Sequence, residues 1–436
     1  MSENNTRAVG ELPGANRDKV WSNELERGRV PGPRLPQQRV VDISRGLSTQ
    51  AVHAGTHEDP TTGSVTSPIF QSTTYGFSDA TYESFSAGVT RDVPIYTRYG
   101  NPNQWVAQEK LATLEGAESA LVTSSGMAAI FNTILAVTNR GGGIISSKDV
   151  YGGTYNLLKD DMHQLGREVT FVDPTSIDEV KSAIRENTQL LLFETLSNPL
   201  LKAIPLPELA ELAHSHHLLL AVDNTFLTPI HCQPIRYGAD IVIHSCSKYL
   251  NGHSDIIAGV VSSSRKYVDR IWAQMLRTGS SLDPHACYML ERGLKTLEIR
   301  MQRQSSNAEA LTRYLEAHPK VKKVFHPTAR EYPWRGVDAY SSNGYGGMLS
   351  FQVAGGDEMA LRLLERLQVA VAATSLGGVE SLASLPFNTS HSALTAEQRE
   401  EIGIPQGLVR FSSGIENEAD LIADLEQALG HLEAES

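Results

Sequence analysis

Between residues 104 and 263, short apolar runs alternate with stretches whose apolar residues repeat at helical spacing. The runs lie at 120–123, 143–146, 168–172, 190–194, 218–223, 240–245 and 258–262, and each predicts a strand. The stretches at 104–114, 127–137, 154–165, 176–184 and 206–216 predict helices. Strands alternating with helices imply a mostly parallel sheet covered on both faces, the α/β class. Ligands on such sheets bind beyond the strand ends. The residues that follow each run are therefore the first candidates for chemistry.

After about residue 283 the pattern changes. A long helical stretch at 284–315 leads into a strand at 347–353, a helix at 357–367, a strand at 408–412 and a last helix at 418–432. These read as a second, smaller α/β domain. Residues 1–46 are polar, rich in Pro, Gly, Arg and Asn, and carry neither period. They read as a flexible extension, with a subunit-contact arm as the alternative.

Composition narrows the function. Lys plus Arg number 38 against 50 Asp plus Glu, a net charge of −12, which argues against nucleic acid or an anionic membrane surface as the main partner. No apolar run approaches the roughly 18 residues of a membrane span. The start of the chain lacks the basic-then-apolar order of a signal peptide. The cysteines, Cys232, Cys246 and Cys287, form no Cys-x-x-Cys pair, so a reducing compartment, the cytoplasm, is expected and a metal site is not.

The strand ends carry the candidate chemistry. Lys248 follows the apolar run ending near Ser245 and is flanked by Ser245 and Ser247. A lysine so placed suits a Schiff base with an aldehyde cofactor, while the hydroxyls hold that cofactor's phosphate; pyridoxal 5'-phosphate is such a cofactor. The run 218–223 ends in Asp223, a carboxylate that can keep the cofactor's ring nitrogen protonated. An ion pair at about 4 Å contributes roughly 4 kcal/mol at an effective dielectric of about 20. Ser125, Gly126 and Met127 join a strand to a helix, where free N–H groups face an anion. Tyr151, after the strand at 143–146, could pack in the core, or stack on the cofactor ring and offer a phenol as acid or base.

These segments resemble the trans-sulfuration, or Cys/Met-metabolism, family of pyridoxal-phosphate enzymes, on the aspartate-aminotransferase fold. The resemblance runs from Leu47-Ser48-Thr49-Gln50 to Phe411-Ser412-Ser413-Gly414 and includes Tyr96-Thr97-Arg98-Tyr99, Glu194-Thr195-Leu196-Ser197-Asn198-Pro199 and Ser375-Leu376-Gly377-Gly378. It implies that Lys248 is the cofactor lysine and proton shuttle, Asp223 the ring-nitrogen partner and Tyr151 the stacking acid or base. It implies a phosphate cup of Gly126, Met127, Ser245 and Ser247. Tyr96 and Arg98 would reach the phosphate in a neighbouring subunit, giving shared active sites and a homotetramer built from dimers. Arg410 would grip the substrate carboxylate, with Asn198 and Ser375 nearby. The chain is thus expected to have four parts: a flexible extension at 1–46, an arm at 47–103 contacting the neighbouring subunit, a cofactor domain at 104–283 and a C-terminal domain at 284–436.

Three positions depart from the cystathionine γ-lyases of that family. Ile95, Asn156 and Thr374 stand where those enzymes carry Glu, Arg and Glu. A pocket without these charges offers little to the distal charged end of cystathionine, whose unpaired burial is costly. Ile95 and Thr374 resemble the methionine γ-lyases, although Gly153 replaces their Cys. The expected activity is γ-elimination on a methionine- or homoserine-like amino acid. The alternatives are γ-replacement on an O-acylhomoserine and cystathionine γ- or β-lysis.

Overall fold

The computed structural model describes residues 38–42, 44–389, 395–401 and 403–430. Most of the expected extension at 1–46, and the end of the helix expected to reach 432, lie outside the described residues. The chain divides into two units, one of residues 1–35 with 72–100 and one of residues 36–71 with 101–436.

The first unit's described part holds one helix, Asp79–Ser86, whose N-cap Ser78 accepts a hydrogen bond from the Thr81 N–H. Its chain closes on itself through an antiparallel bridge between Thr74 and Tyr96 and a 2.9 Å bond from the Thr97 N–H to Thr73. Phe77, Tyr82, Phe85 and Tyr96 are exposed.

The described part of the second unit contains two sheets. Seven strands make the larger: β1 (Ser119–Thr123), β2 (Gly143–Ser147), β3 (Glu168–Val172), β4 (Thr188–Glu194), β5 (Leu219–Asp223), β6 (Ile241–Ser245) and β7 (Gly259–Ser263), in the order β1-β7-β6-β5-β4-β2-β3. Alternate side chains leave opposite faces, as a strand requires. Leu190, Leu192, Ile241 and Ile243 pack with Ile130, Ile134, Val268 and Ile271 from the helices Gly126–Val137 and Arg265–Thr278. Leu191, Phe193, Leu220 and Val242 pack with Leu111, Leu114 and Leu209 from the helices Pro102–Glu115 and Leu206–Ser215. Both faces are thus covered, as the alternation predicts.

β6, β5, β4, β2 and β3 pair in parallel, but β7 runs antiparallel to both β1 and β6. A parallel return needs a crossover, usually a helix. The segment from 246 to 258, which carries Lys248, forms a loop instead, so the chain comes straight back beside β6.

The smaller sheet adds β8 (Val321–Phe325), β9 (Met348–Val353), β10 (Val371–Ala372), β11 (Leu382–Ser384) and β12 (Leu408–Ser412), in the order β10-β11-β12-β9-β8. The helices Leu297–Ala317 and Glu418–Gly430 bury Leu311, Leu315, Leu421 and Leu425 with it. The long helical stretch expected at 284–315 is two helices, Pro284–Leu294 and Leu297–Ala317. At the break, a Cβ on Gly293 would meet the Asn251 carbonyl at 2.3 Å, so the first helix ends against the Lys248 loop. Buried Arg300 donates to the carbonyls of Gly293 and Tyr249, at 2.8 and 2.7 Å, and locks that contact.

Candidate active site

The C-terminal ends of β4, β5 and β6, the start of the helix Gly126–Val137, and the loop at 373–381 and strand β12 of the smaller sheet converge on Lys248. Its Nζ donates to Ser375 Oγ at 2.6 Å. Burial, and then the charge of Arg410, hold the amine below the usual lysine pKa. Ser375 has a φ of 79°, a left-handed backbone unusual for a residue with a Cβ. That turn aims its carbonyl at Arg410, whose Nη2 donates to it at 2.9 Å. Arg410 Nη1 donates to Asn198 Oδ1 at 3.3 Å. Arg410 lies on β12 with 8% of its surface exposed, and burial lowers its pKa to about 10. Its hydrogen-bond partners are neutral, so its charge is open to an anion.

Asp223 ends β5. Its Oδ1 accepts from the N–H and the hydroxyl of Thr225, at 3.0 and 2.5 Å. Burial raises its pKa, while the Thr225 bonds and the nearby His244 favour the ionised form. His244, on β6, has its Nε2 2.5 Å from Glu115 Oε1. Thr225 also accepts from the Ser245 N–H at 2.9 Å and so ties the Asp223 turn to the Lys248 loop.

A close approach builds the anion cup. Ser125 caps the helix Gly126–Val137, and the N–H groups of Gly126 and Met127 lie in its first turn, without intrahelical partners. A Cβ on Gly126 would lie 2.9 Å from Ser245 Cβ, and one on Gly259 would lie 2.2 Å from the Ser125 carbonyl. The two glycines therefore let the helix start press against Ser245 and β7. Ser247 exchanges hydrogen bonds with the Ala258 backbone, which fixes the other side of the loop.

Tyr151 is 48% exposed, and its N–H donates to Glu194 Oε1 at 2.7 Å. The phenol is close enough to Arg410 for the two to interact electrostatically. A Cβ on Gly153 would lie 2.6 Å from Tyr151 Cε1 and 3.3 Å from Met127 Sδ, so the ring rests over the glycine. Asn156 and Thr374 are exposed. Lys248, Asp223, Tyr151, Asn198, Ser375, Arg410, Gly126 and Ser245 are brought together. Tyr96, Arg98 and Ile95 belong to the first unit. There the Arg98 guanidinium lies 5.9 Å from the Tyr96 ring centre, and Ile95 is buried.

This donor set fits pyridoxal phosphate. One amine held below its usual pKa, a carboxylate bonded only to Thr225 among the described residues, and a cradle that a Cβ on Gly126 would fill match an aldehyde, a ring nitrogen and a phosphate. Among the described residues no group of His, Cys, Asp and Glu is placed to hold a metal ion, the three cysteines are buried and free, and no helix is long and apolar enough to cross a membrane. Sequence reasoning missed Thr225, Glu194 and Arg300. Glu194 left one signal: like Asp223, it is a carboxylate ending an apolar run.

A sequence family described as Cys/Met metabolism PLP-dependent enzyme matches residues 48–430. The chain is 42% identical over 387 residues to an L-methionine gamma-lyase of Fusobacterium nucleatum subsp. polymorphum, covering 88% of this chain and 98% of that one. It is 39% identical to a cystathionine beta-lyase of Lactococcus lactis subsp. cremoris, covering 88% and 98%. The crystal structure of cystathionine gamma-lyase from Lactobacillus plantarum, complexed with L-serine, superposes with a TM-score of 0.82 at 35% identity, covering 88% and 99%.

Proposed function

The chain belongs to the Cys/Met metabolism family of pyridoxal-phosphate-dependent enzymes, and from that premise we propose that it is a carbon–sulfur lyase that eliminates the γ-substituent of methionine or a homoserine-like amino acid. With methionine, one water is consumed, and 2-oxobutyrate, ammonia and methanethiol are released. The carrying observation is the chain of contacts from Lys248 through Ser375 to Arg410, with the uncharged Asn156 and Thr374 at the exposed edge.

Each residue has a task that its surroundings support. Arg410 grips the substrate α-carboxylate with a buried, planar guanidinium. That grip holds the Cα proton toward Lys248, whose lowered pKa favours the neutral amine that a base must be. When bound, pyridoxal phosphate supplies the electron sink that makes this proton acidic. Asp223, whose ionised form the two Thr225 donors favour, would face the ring nitrogen. Tyr151, beside the Arg410 charge, gives a proton to the departing sulfur. Gly126, Met127, Ser125, Ser245 and Ser247 hold the phosphate.

The same reading extends to the assembly. Tyr96 and Arg98 complete the phosphate site of a neighbouring copy, so active sites are shared in dimers that pair into a homotetramer. The exposed aromatic surface of Phe77, Tyr82, Phe85 and Tyr96 supports this. Residues 47–103 then form the arm, 104–283 the cofactor domain and 284–436 the C-terminal domain, in a cytoplasmic enzyme. Incubation of the purified holoenzyme with methionine, with detection of keto acid and thiol, tests the activity. Stoichiometric 2-oxobutyrate and methanethiol support elimination. Activity confined to O-acylhomoserine with a thiol acceptor would assign replacement instead.

A further inference from the structure

Glu194 sits where three parts of the site meet, and none of the roles above uses it. It ends β4 in register with Asp223 at the end of β5, so adjacent parallel strands present two carboxyls side by side. Its Oε1 accepts the Tyr151 N–H at 2.7 Å, just before the helix Gly152–Asn156. The Asn198 backbone N–H also faces it, four residues along the chain, and the Asn198 side chain is the partner of Arg410. Behind it lies a cavity of about 10 Å³ lined by Ser147, Asp149, Ser197 and Lys202. Across it, Asp149 pairs with Lys202 at 3.2 Å, so that cation is already matched.

We propose that Glu194 is the positioning residue of this site, a carboxyl that fixes the Tyr151 backbone and, by holding a proton, leaves Asp223 as the charged member of this carboxyl pair. The assignment of Asp223 follows from its partners. Thr225 gives it two donors and His244 lies near, whereas Glu194 faces Asp223 from β5 and Asp149 from the segment after β2. Two adjacent, partly buried carboxyls resist ionising together. Surrounding protein, then the Asp223 charge, push the Glu194 pKa well above the ordinary range, in the same sense. The proposal rests on the reading of Tyr151 and Arg410 as substrate-facing groups, but its decisive test needs no substrate.

A carboxyl whose folded pKa is raised leaves the protein most stable below its unfolded pKa, and that stability falls as pH rises toward the folded value. Glu194→Gln keeps the acceptor oxygen and cannot ionise. In thermal melts of the holoenzyme, the Tm of E194Q minus that of wild type should therefore grow from about pH 5 to pH 8, past the ordinary glutamate value. A difference that stays flat or shrinks overturns the neutral-acid assignment. Glu194→Ala removes the acceptor. Its circular dichroism in the cofactor band should change, and its kcat/KM should fall about tenfold below that of E194Q, the scale of one hydrogen bond. Where E194A does not accumulate, Glu194→Met gives the same readout. Equal spectra and equal kcat/KM in the two variants overturn the positioning role. Lack of γ-elimination by the wild type would leave the melts and spectra readable, so the two failures are distinct.

Discussion

The amine of Lys248 lies 2.6 Å from the hydroxyl of Ser375, and the carbonyl of Ser375 in turn accepts from Arg410 at 2.9 Å. One residue, in a left-handed turn, thus joins the proposed base to the proposed carboxylate clamp. Lys248 can act only as a neutral amine, and burial with the nearby Arg410 charge favours that form. The rate of cofactor uptake by apoprotein should rise with pH to a midpoint below the ordinary lysine value of about 10.4. Arg410→Gln removes a like charge and should move that midpoint upward. Stopped-flow absorbance across a pH series reads both.

Lys248→Ala should abolish the visible absorbance of the lysine-bound cofactor and lower kcat at least about a hundredfold, the low end of what a positioned base contributes. Steady-state kinetics with a spectrum of the purified variant check this.

Arg410→Lys keeps the charge but not the fork that meets a carboxylate and Ser375 together. Losing one charge-assisted hydrogen bond costs roughly 1.5–3 kcal/mol, so KM should rise about ten- to a hundredfold. The kcat should change less, and initial rates over a substrate range separate the two.

At the cup, Gly126→Ala places a methyl 2.9 Å from Ser245 Cβ and 3.1 Å from its Cα, where backbone has to move. Overpacking of about 1–3 kcal/mol should weaken cofactor binding roughly five- to a hundredfold. Titration of the apoprotein with pyridoxal phosphate measures it.

The ring of Tyr151 rests over Gly153, within 2.6 Å of where a Cβ would stand. Gly153→Cys should swing the ring outward, which its 48% exposure permits. The expected result is a lower kcat with cofactor binding retained, read by rate assays and cofactor absorbance on the same sample.

Much of the frame was legible because strand and helix periods are local. The parallel strands and the strand-end positions of Asp223 and Lys248 follow from where apolar runs stop. The direction of β7 was not legible, because it depends on whether 246–258 forms a helix or a loop. Nor was the break near residue 295, which exists because Gly293 and Arg300 pack on the Tyr249–Asn251 backbone far away in sequence. β8 has Lys322 and Lys323 in its middle and β10 has two residues, so neither carries an apolar run. Glu194 looked like a strand-end residue; its place beside Asp223 is a matter of register between strands.

Cystathionine tests the central claim most directly, because the bond that breaks names the product. Elimination at Cγ releases 2-oxobutyrate and cysteine, while elimination at Cβ releases pyruvate and homocysteine. Chromatography of the keto acids after incubation with the holoenzyme, beside a methionine reaction, should find 2-oxobutyrate from both substrates and faster turnover of methionine. Pyruvate as the main keto acid from cystathionine, with none from methionine, would contradict γ-elimination.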